Sequence, residues 1–357
     1  MMSRYIFRRL VQAVPIFFGI TILSYLLMSL SGNPLLALVL EPNMTQAQFA
    51  RISARLGVND PWPLQYTRWL LGDDWLRWDS NGDGISDHSF LIPLDADGDG
   101  IPDPPGMRRG ILRGDFGTSF ALHRPVLDLI FERIPATLEL SITSLIIGSA
   151  IGILLGIMAA VQRGRASDNV IRVTAVLFNA VPDFWLSLLV LLFFGSYLRV
   201  LPIGDRCKLT MDASCPPIYM RLEYMVLPVF IYSTGLVAGF SRLTRTTMLD
   251  ELGKDYVRTA RSKGVRERTV WYHAWRNGLI PVATGLGPAI IGLVGGSVIV
   301  ERIFNYPGVG KTLYDAAIGR DYPVVMASVI YGALTVIFGY LLSDILYVLI
   351  DPRIHFE

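Results

Sequence analysis

The chain has 357 residues, 52% of them hydrophobic, with a mean hydropathy of +0.44 and a formal charge of +2. It is too apolar for an ordinary soluble domain and falls in the membrane class. Two cysteines and four histidines, none of the latter paired at helical spacing, exclude a disulfide scaffold and the common zinc patterns.

Residues 1–30 open with Arg4, Arg8 and Arg9 and then run apolar from Leu10 to Leu30. A secretory signal also begins with basic residues, but this apolar core is about twice the usual length. It reads as a first membrane helix whose arginines hold its start in the cytoplasm. Residues 31–134 form the one long hydrophilic region, extracytoplasmic by this topology. From Ser31 to Arg133 it holds nine Lys or Arg against fourteen Asp or Glu. Its first part suggests a short amphipathic helix, a Pro-rich turn and a second helix.

Within it, residues 73–109 form an acidic insertion with two copies of one pattern, DSNGDGISD and DADGDGIPD, offset by 16 residues. Asp79, Asn81, Asp83 and Asp87 supply oxygens in the first copy, and Asp95, Asp97, Asp99 and Asp103 in the second. Alternate acidic side chains around a tight glycine turn suit a hard cation, and a structural calcium is the expectation. The pattern is no full EF-hand, because Phe90 and Gly106 stand at the bidentate glutamate positions. The alternative is an acidic, solvated, disordered loop.

Residues 135–350 read as five further spans. The second runs from about Ala136 to Val161, with Pro135 at its start. The third, from Val170 to about Leu198, carries Pro182 and Asp183 near its middle, where a charge costs about 2.5–3.5 kcal/mol on insertion scales. Asp183 either lines a wet pathway through the bundle or satisfies backbone groups freed by Pro182. Outside again, Cys207 and Cys215 either close a disulfide, adding roughly 2–3 kcal/mol by chain entropy, or remain two thiols. The fourth span, about Met225 to Ser241, leads into a polar loop at 242–278. The fifth follows from Leu279 to about Val300, and the sixth from about Val324 to Ile350. Residues 351–357 close the chain on the cytoplasmic side.

The 242–278 loop is the most informative stretch. From Arg242 to Asn277 it holds nine Lys or Arg against four Asp or Glu, a net of +5 that marks the cytoplasmic face. Leu249, Leu252, Tyr256, Val257 and Ala260 recur at helical spacing, Gly264 ends that rod, and a second helix is expected from about Arg266 to Asn277. Composition alone allows either anionic lipid or a partner protein to sit on this knob. The external string GVGKT suggests a phosphate loop, but Asn305 stands where the full motif needs glycine and no strand precedes it.

The residues DYVRTARSKG and HAWRNGLIP resemble the cytoplasmic coupling loop of permease subunits of ATP-binding-cassette importers, nearest the dipeptide, oligopeptide and nickel branch. LGVNDPWPLQYTRWL, GDFGTSF, RPVLDLIFERIPATLELS and the stretch from Glu301 to Pro323 are similar to the same family; the acidic insertion is not. In the generic loop, Glu-Ala-Ala stands three residues before an essential glycine. Here Gly264 takes the glycine position, Ala260 the last alanine, and Arg258 replaces the glutamate. The resemblance implies ATPase-coupling roles for Leu252, Tyr256, Arg258, Thr259, Ala260, Gly264, Asn277 and Pro281. It gives no support to Asp183, because the family usually carries an uncharged residue there.

What the resemblance implies is an all-α polytopic membrane protein of the type I importer kind. It would have six transmembrane helices, both termini in the cytoplasm and a place in a prokaryotic plasma membrane. Such a subunit catalyses nothing. Its expected partners are two ABC ATPase subunits, a second homologous permease, an extracytoplasmic solute-binding protein and membrane lipid, with no nucleic acid. The rival functions are a secondary transporter or channel, and a membrane-anchored calcium-binding interaction protein. The first should show interacting charges in several spans, and the second leaves the knob unexplained.

Overall fold

The computed structural model describes residues 2–30, 53, 57–58, 60–96, 98–209, 215–294 and 298–350. Its helices are α1 (Met2–Leu30), α2 (Trp62–Leu71), α3 (Val126–Val161), α4 (Ala166–Ala180), α5 (Asp183–Val190), α6 (Leu222–Leu252), α7 (Asp255–Ser262), α8 (Glu267–Val294), α9 (Val298–Ile303), α10 (Val309–Ile318) and α11 (Tyr322–Ile350). A two-stranded antiparallel ribbon, β1 (Arg77–Trp78) and β2 (His88–Ser89), interrupts the helical order. Among the described residues four helices are long and apolar enough to cross a membrane, and a fifth crossing results if α4 and α5 count as one broken span. The chain is thus a mostly helical, multi-pass membrane protein.

Three expected boundaries shift. Helix α3 starts at Val126, ten residues before the expected start, so Pro135 lies inside it. Its first turns are amphipathic, with Val126, Leu129 and Ile130 buried, and packing of that stripe extends the helix beyond the apolar run. The third span bends by 101° between Ala180 and Asp183 instead of continuing. Proline lacks an N–H and disfavours helical geometry in the residue before it; accordingly Val181 and Pro182 are both extended. Finally, α8 passes without a break through Gly278 and Pro281, so the second knob helix and the start of the fifth span form one rod.

The described residues group into two compact units. One comprises Met1–Ala13, Arg133–Lys311 and Gly332–Glu357. Its centre is α6, against which α4 and α8 pack. Helix α3 meets α6 along a ridge of glycines: a Cβ added at Gly148, Gly152 or Gly156 would fall 2.8, 2.8 or 2.6 Å from the Cβ of Leu236, Phe240 or Thr244. Small residues one helical turn apart permit backbones to approach this closely. Above and below the ridge sit small apolar clusters, among them Ala136, Leu140, Met225, Val229 and Tyr306 at one end and Ala160, Met248 and Ala274 at the other.

The second unit comprises Val14–Glu132 and Thr312–Tyr331. Here α2 lies against α1: Thr21 Oγ1 and Tyr66 Oη are 3.0 Å apart, and the rings of Tyr25, Tyr66 and Trp69 lie within 5.7 Å of one another. The two ends of the acidic insertion meet, since Asp73 N donates to Arg108 O at 3.0 Å and Arg108 N donates to Asp73 Oδ1 at 2.8 Å. Asp321, at the foot of α11, accepts from Ser119 Oγ and from the amides of Phe120 (3.1 Å) and Ala121 (3.3 Å).

Candidate functional site

The 242–278 loop is built as a short rod on two long ones. Helix α6 continues to Leu252, the chain turns at Gly253 and Lys254, and α7 runs only from Asp255 to Ser262. Gly264 has φ +73°, the left-handed region that glycine enters without a Cβ penalty. The turn it makes closes α7: Val265 N donates to Ala260 O at 3.2 Å and Gly264 N to Arg261 O at 3.0 Å. Arg261 and Glu267 clamp the turn from both sides, with Nε to Oε1 at 2.9 Å.

The root of the rod is buried and its tip is bare. Val257, Val270 and Ala274 are buried, and Leu249, Leu252 and Trp275 pack on the cluster around Met248. Of the residues expected to couple to an ATPase, Tyr256, Arg258, Thr259, Gly264, Asn277 and Pro281 are exposed, while Leu252 and Ala260 are partly covered. Tyr256 Oη donates to Glu251 Oε2 at 3.0 Å and also bonds Asn277, tying the last turn of α6 to α7 and α8. Partial desolvation raises the Tyr256 phenol above its ordinary pKa. Glu251 also takes Lys254 Nζ at 2.6 Å and holds that ammonium charged. A force on α7 therefore reaches both long helices through hydrogen bonds as well as through the chain.

A second tie lies near this root. Asp168, in the first turn of α4 and fully buried, accepts from Arg245 Nε at 2.7 Å, from Arg245 Nη2 at 2.9 Å and from Gly164 N at 3.0 Å. A bidentate pair fixes orientation as well as distance. Arg245 counts in the sequence only toward the charge of the 242–278 loop and Asp168 carries no signal of its own, because the two lie 77 positions apart. Asp183 is exposed at the first turn of α5, at the break of the third span.

In the segment between α5 and α6, Cys207 and Cys215 form a disulfide with Cα atoms 5.7 Å apart. Beside it Arg206 Nη2 and Arg221 Nη2 both reach Glu139 Oε2, at 2.6 and 3.0 Å. The GVGKT string forms the start of α10, and its amides serve an anion from the same chain. Lys311 N donates to Glu301 Oε2 at 2.9 Å, Gly310 N also donates to that carboxylate, and Thr137 Oγ1 donates to Oε1 at 2.9 Å. Val309 N completes the corner on Thr137 Oγ1 at 2.8 Å. Burial pushes the Glu301 carboxyl up, against these donors.

In the acidic insertion both copies take the same turn. Asp79 Oδ2 accepts from Gly84 N at 2.7 Å, and Asp95 Oδ2 from Gly100 N at 2.9 Å. Asp83 Oδ1 and Asp99 Oδ1 accept from the amides of Ile85 and Ile101. Asn81 Nδ2 donates to Asp83 Oδ2 at 3.1 Å, and Asp87 accepts from Ser80 N at 2.9 Å and holds His88 Nδ1 at 2.8 Å. Asp103 is paired with Arg77 at 2.6 Å. Among the described residues no three such side chains gather closely enough to hold a metal ion; Asp97 lies outside the described residues. The ribbon is nonetheless organised around buried Leu76, Arg77 and Ile92.

Residues 152–356 match the family described as binding-protein-dependent transport system inner membrane component, and residues 2–75 match its N-terminal membrane-component family. The chain is 35% identical over 357 residues to the oligopeptide transport system permease protein AppB of Bacillus subtilis, covering 99% of this chain and 100% of that one. It is 31% identical over 373 residues to the dipeptide transport system permease protein DppB of Escherichia coli K12, and 35% identical over 359 residues to a putative peptide permease of Brucella ovis. Each alignment covers 99% of both chains. With the first match containing the whole α6 to α8 assembly and the relatives spanning the full length, the chain belongs to the binding-protein-dependent inner membrane component family, the non-catalytic permease subunits of ABC importers.

Proposed function

We propose that this chain forms one half of the translocation pathway of an ATP-driven importer for peptides or related small solutes. Its partners are two ATPase subunits, a second homologous permease and an extracytoplasmic solute-binding protein. In this reading the chain crosses a prokaryotic plasma membrane six times with both termini in the cytoplasm. The observation that carries the reading is the rod Asp255–Ser262, bare at its tip and rooted between α6 and α8. A rod of that design suits a cleft in a partner better than it suits a lipid surface, because its root is packed and its tip mixes Tyr256, Thr259 and Arg258 without a broad apolar face. The printed names of the relatives, oligopeptide and dipeptide permeases, support a peptide cargo.

In operation the ATPases, on closing, move α7; the Gly264 turn and the Glu251–Tyr256–Asn277 bonds carry that motion into α8 and α6, and the pore opens to alternate sides. Asp183, exposed at the break between α4 and α5, is proposed to line the path, where its carboxylate would meet a peptide amino group. A structural calcium is proposed for the insertion, supported by the repeated oxygen side chains and their identical glycine turns.

Replacing Gly264 by Val tests the coupling directly. No neighbour lies within 4 Å of an added Cβ, so the penalty is the positive φ and not a clash. Membrane insertion should be kept and peptide uptake should fall at least tenfold, while the ATPase subunits still co-purify more weakly. Uptake at the level of the parent chain would refute the coupling role.

A further inference from the structure

A cavity of about 570 Å³ opens between the last two turns of α1, helix α2, the segment from Arg108 to Pro125 and the first turn of α11. All of it lies within the second unit. Tyr25, Trp69, Phe116 and Tyr322 give it aromatic walls, and Arg68, Arg108 and Asp115 give it a net positive charge. Its size is that of a small-molecule site.

Arg108 stands out among these. Its backbone is held by Asp73 on both sides, which fixes the residue in the cavity wall. Its guanidinium makes no hydrogen bond and no ion pair among the described residues. The carboxylates nearby are already engaged. Asp73 takes the Arg108 amide and Arg68, and Asp115 takes the amides of Arg109 and Gly117 at 3.0 Å each. The Arg108 side chain is exposed where it lines the cavity, with the like charge of Arg68 and the opposite charges of Asp73 and Asp115 acting on it. A guanidinium keeps its charge, and one that lines a cavity offers a phosphate a charge-assisted, bidentate seat.

The surroundings say what kind of anion. Tyrosine and tryptophan at the ends of membrane helices mark the level of lipid headgroups, and here they stand on α1, α2 and α11 together. The same end of α1 exposes Leu23, Leu27 and Leu30, and only 6% of the apolar window of that helix is buried. A charged seat next to an uncovered apolar helix matches an amphiphile with a phosphate at one end.

We propose that this cavity seats the headgroup of an anionic phospholipid, with the phosphate on Arg108 and the acyl chains along the exposed side of α1. The reading does not depend on the transport function. The test is native mass spectrometry of the delipidated, fully assembled complex titrated with phosphatidylglycerol, phosphatidylcholine or the tail-less glycerol phosphate. Phosphatidylglycerol should remain bound, with phosphatidylcholine about tenfold weaker and glycerol phosphate unable to displace it. Arg108→Gln should cut phosphatidylglycerol retention about tenfold, whereas Arg108→Lys should keep most of it, which separates loss of charge from loss of fold. Equal retention of both lipids, or unchanged retention in Arg108→Gln, would overturn the proposal. Displacement by glycerol phosphate at equal concentration would overturn the lipid in favour of a soluble phosphate.

Discussion

Truncating Glu301 to Ala would strand the Thr137 hydroxyl and the amides of Gly310 and Lys311 in a buried corner. Each stranded buried group costs about 1–3 kcal/mol, so the variant should melt several degrees below the parent in detergent. Glu301→Gln keeps one acceptor oxygen but turns an N–H toward donors, and should fall between the two. Parent-like melting of the Ala variant would mean that the carboxylate does not hold this corner. Gly308 and Gly310 belong to the same design. A Cβ on either would run into the Glu301 carboxylate, so glycine is required there by proximity. The string GVGKT thus looks like a phosphate loop for a physical reason: it does bind an anion, and the anion is a side chain.

At the level of elements, the apolar runs announce α1, α3, α6 and α11, and Gly264 announces the turn that closes α7. The break in the third span was also visible, as Pro182, but an apolar run on both sides of a proline reads as one helix unless the 101° bend is known. Gly148, Gly152 and Gly156 carry a signal too, at a spacing of four, but a periodicity defined by large apolar residues does not contain it. What no local pattern could supply were the pairs Asp168–Arg245, Glu139–Arg206 and Thr137–Glu301, whose members lie 77, 67 and 164 positions apart. Such charges look like topology markers until their partners are known. The acidic ribbon is the remaining element with an experiment attached. With calcium bound, the stretch from Asp79 to Asp103 should resist protease and become several times more sensitive in chelator; equal sensitivity would leave the loops to their own amides, which already hold Asp79 and Asp95.

For the whole molecule, the proposed topology makes a paired expectation. The Cys207–Cys215 sulfurs should react with a membrane-impermeant maleimide on intact cells only after reduction. A cysteine placed at Ser262, in a chain freed of the native pair, should react only after the membrane is opened. Labelling of position 262 from outside would invert the chain and remove the ATPase from reach of the rod. The acidic stretch 73–109 leaves and rejoins the rest of its unit at one neck, Asp73 against Arg108, and so forms a closed loop.

Glu301 has one more consequence. Because it is tethered to the amides it occupies, it competes there at an effective concentration of millimolar order or above, and it neither dilutes nor exchanges. Free phosphate or nucleotide would have to outcompete a ligand that never leaves. The start of α10 is therefore already occupied against the solutes its sequence resembles a receptor for.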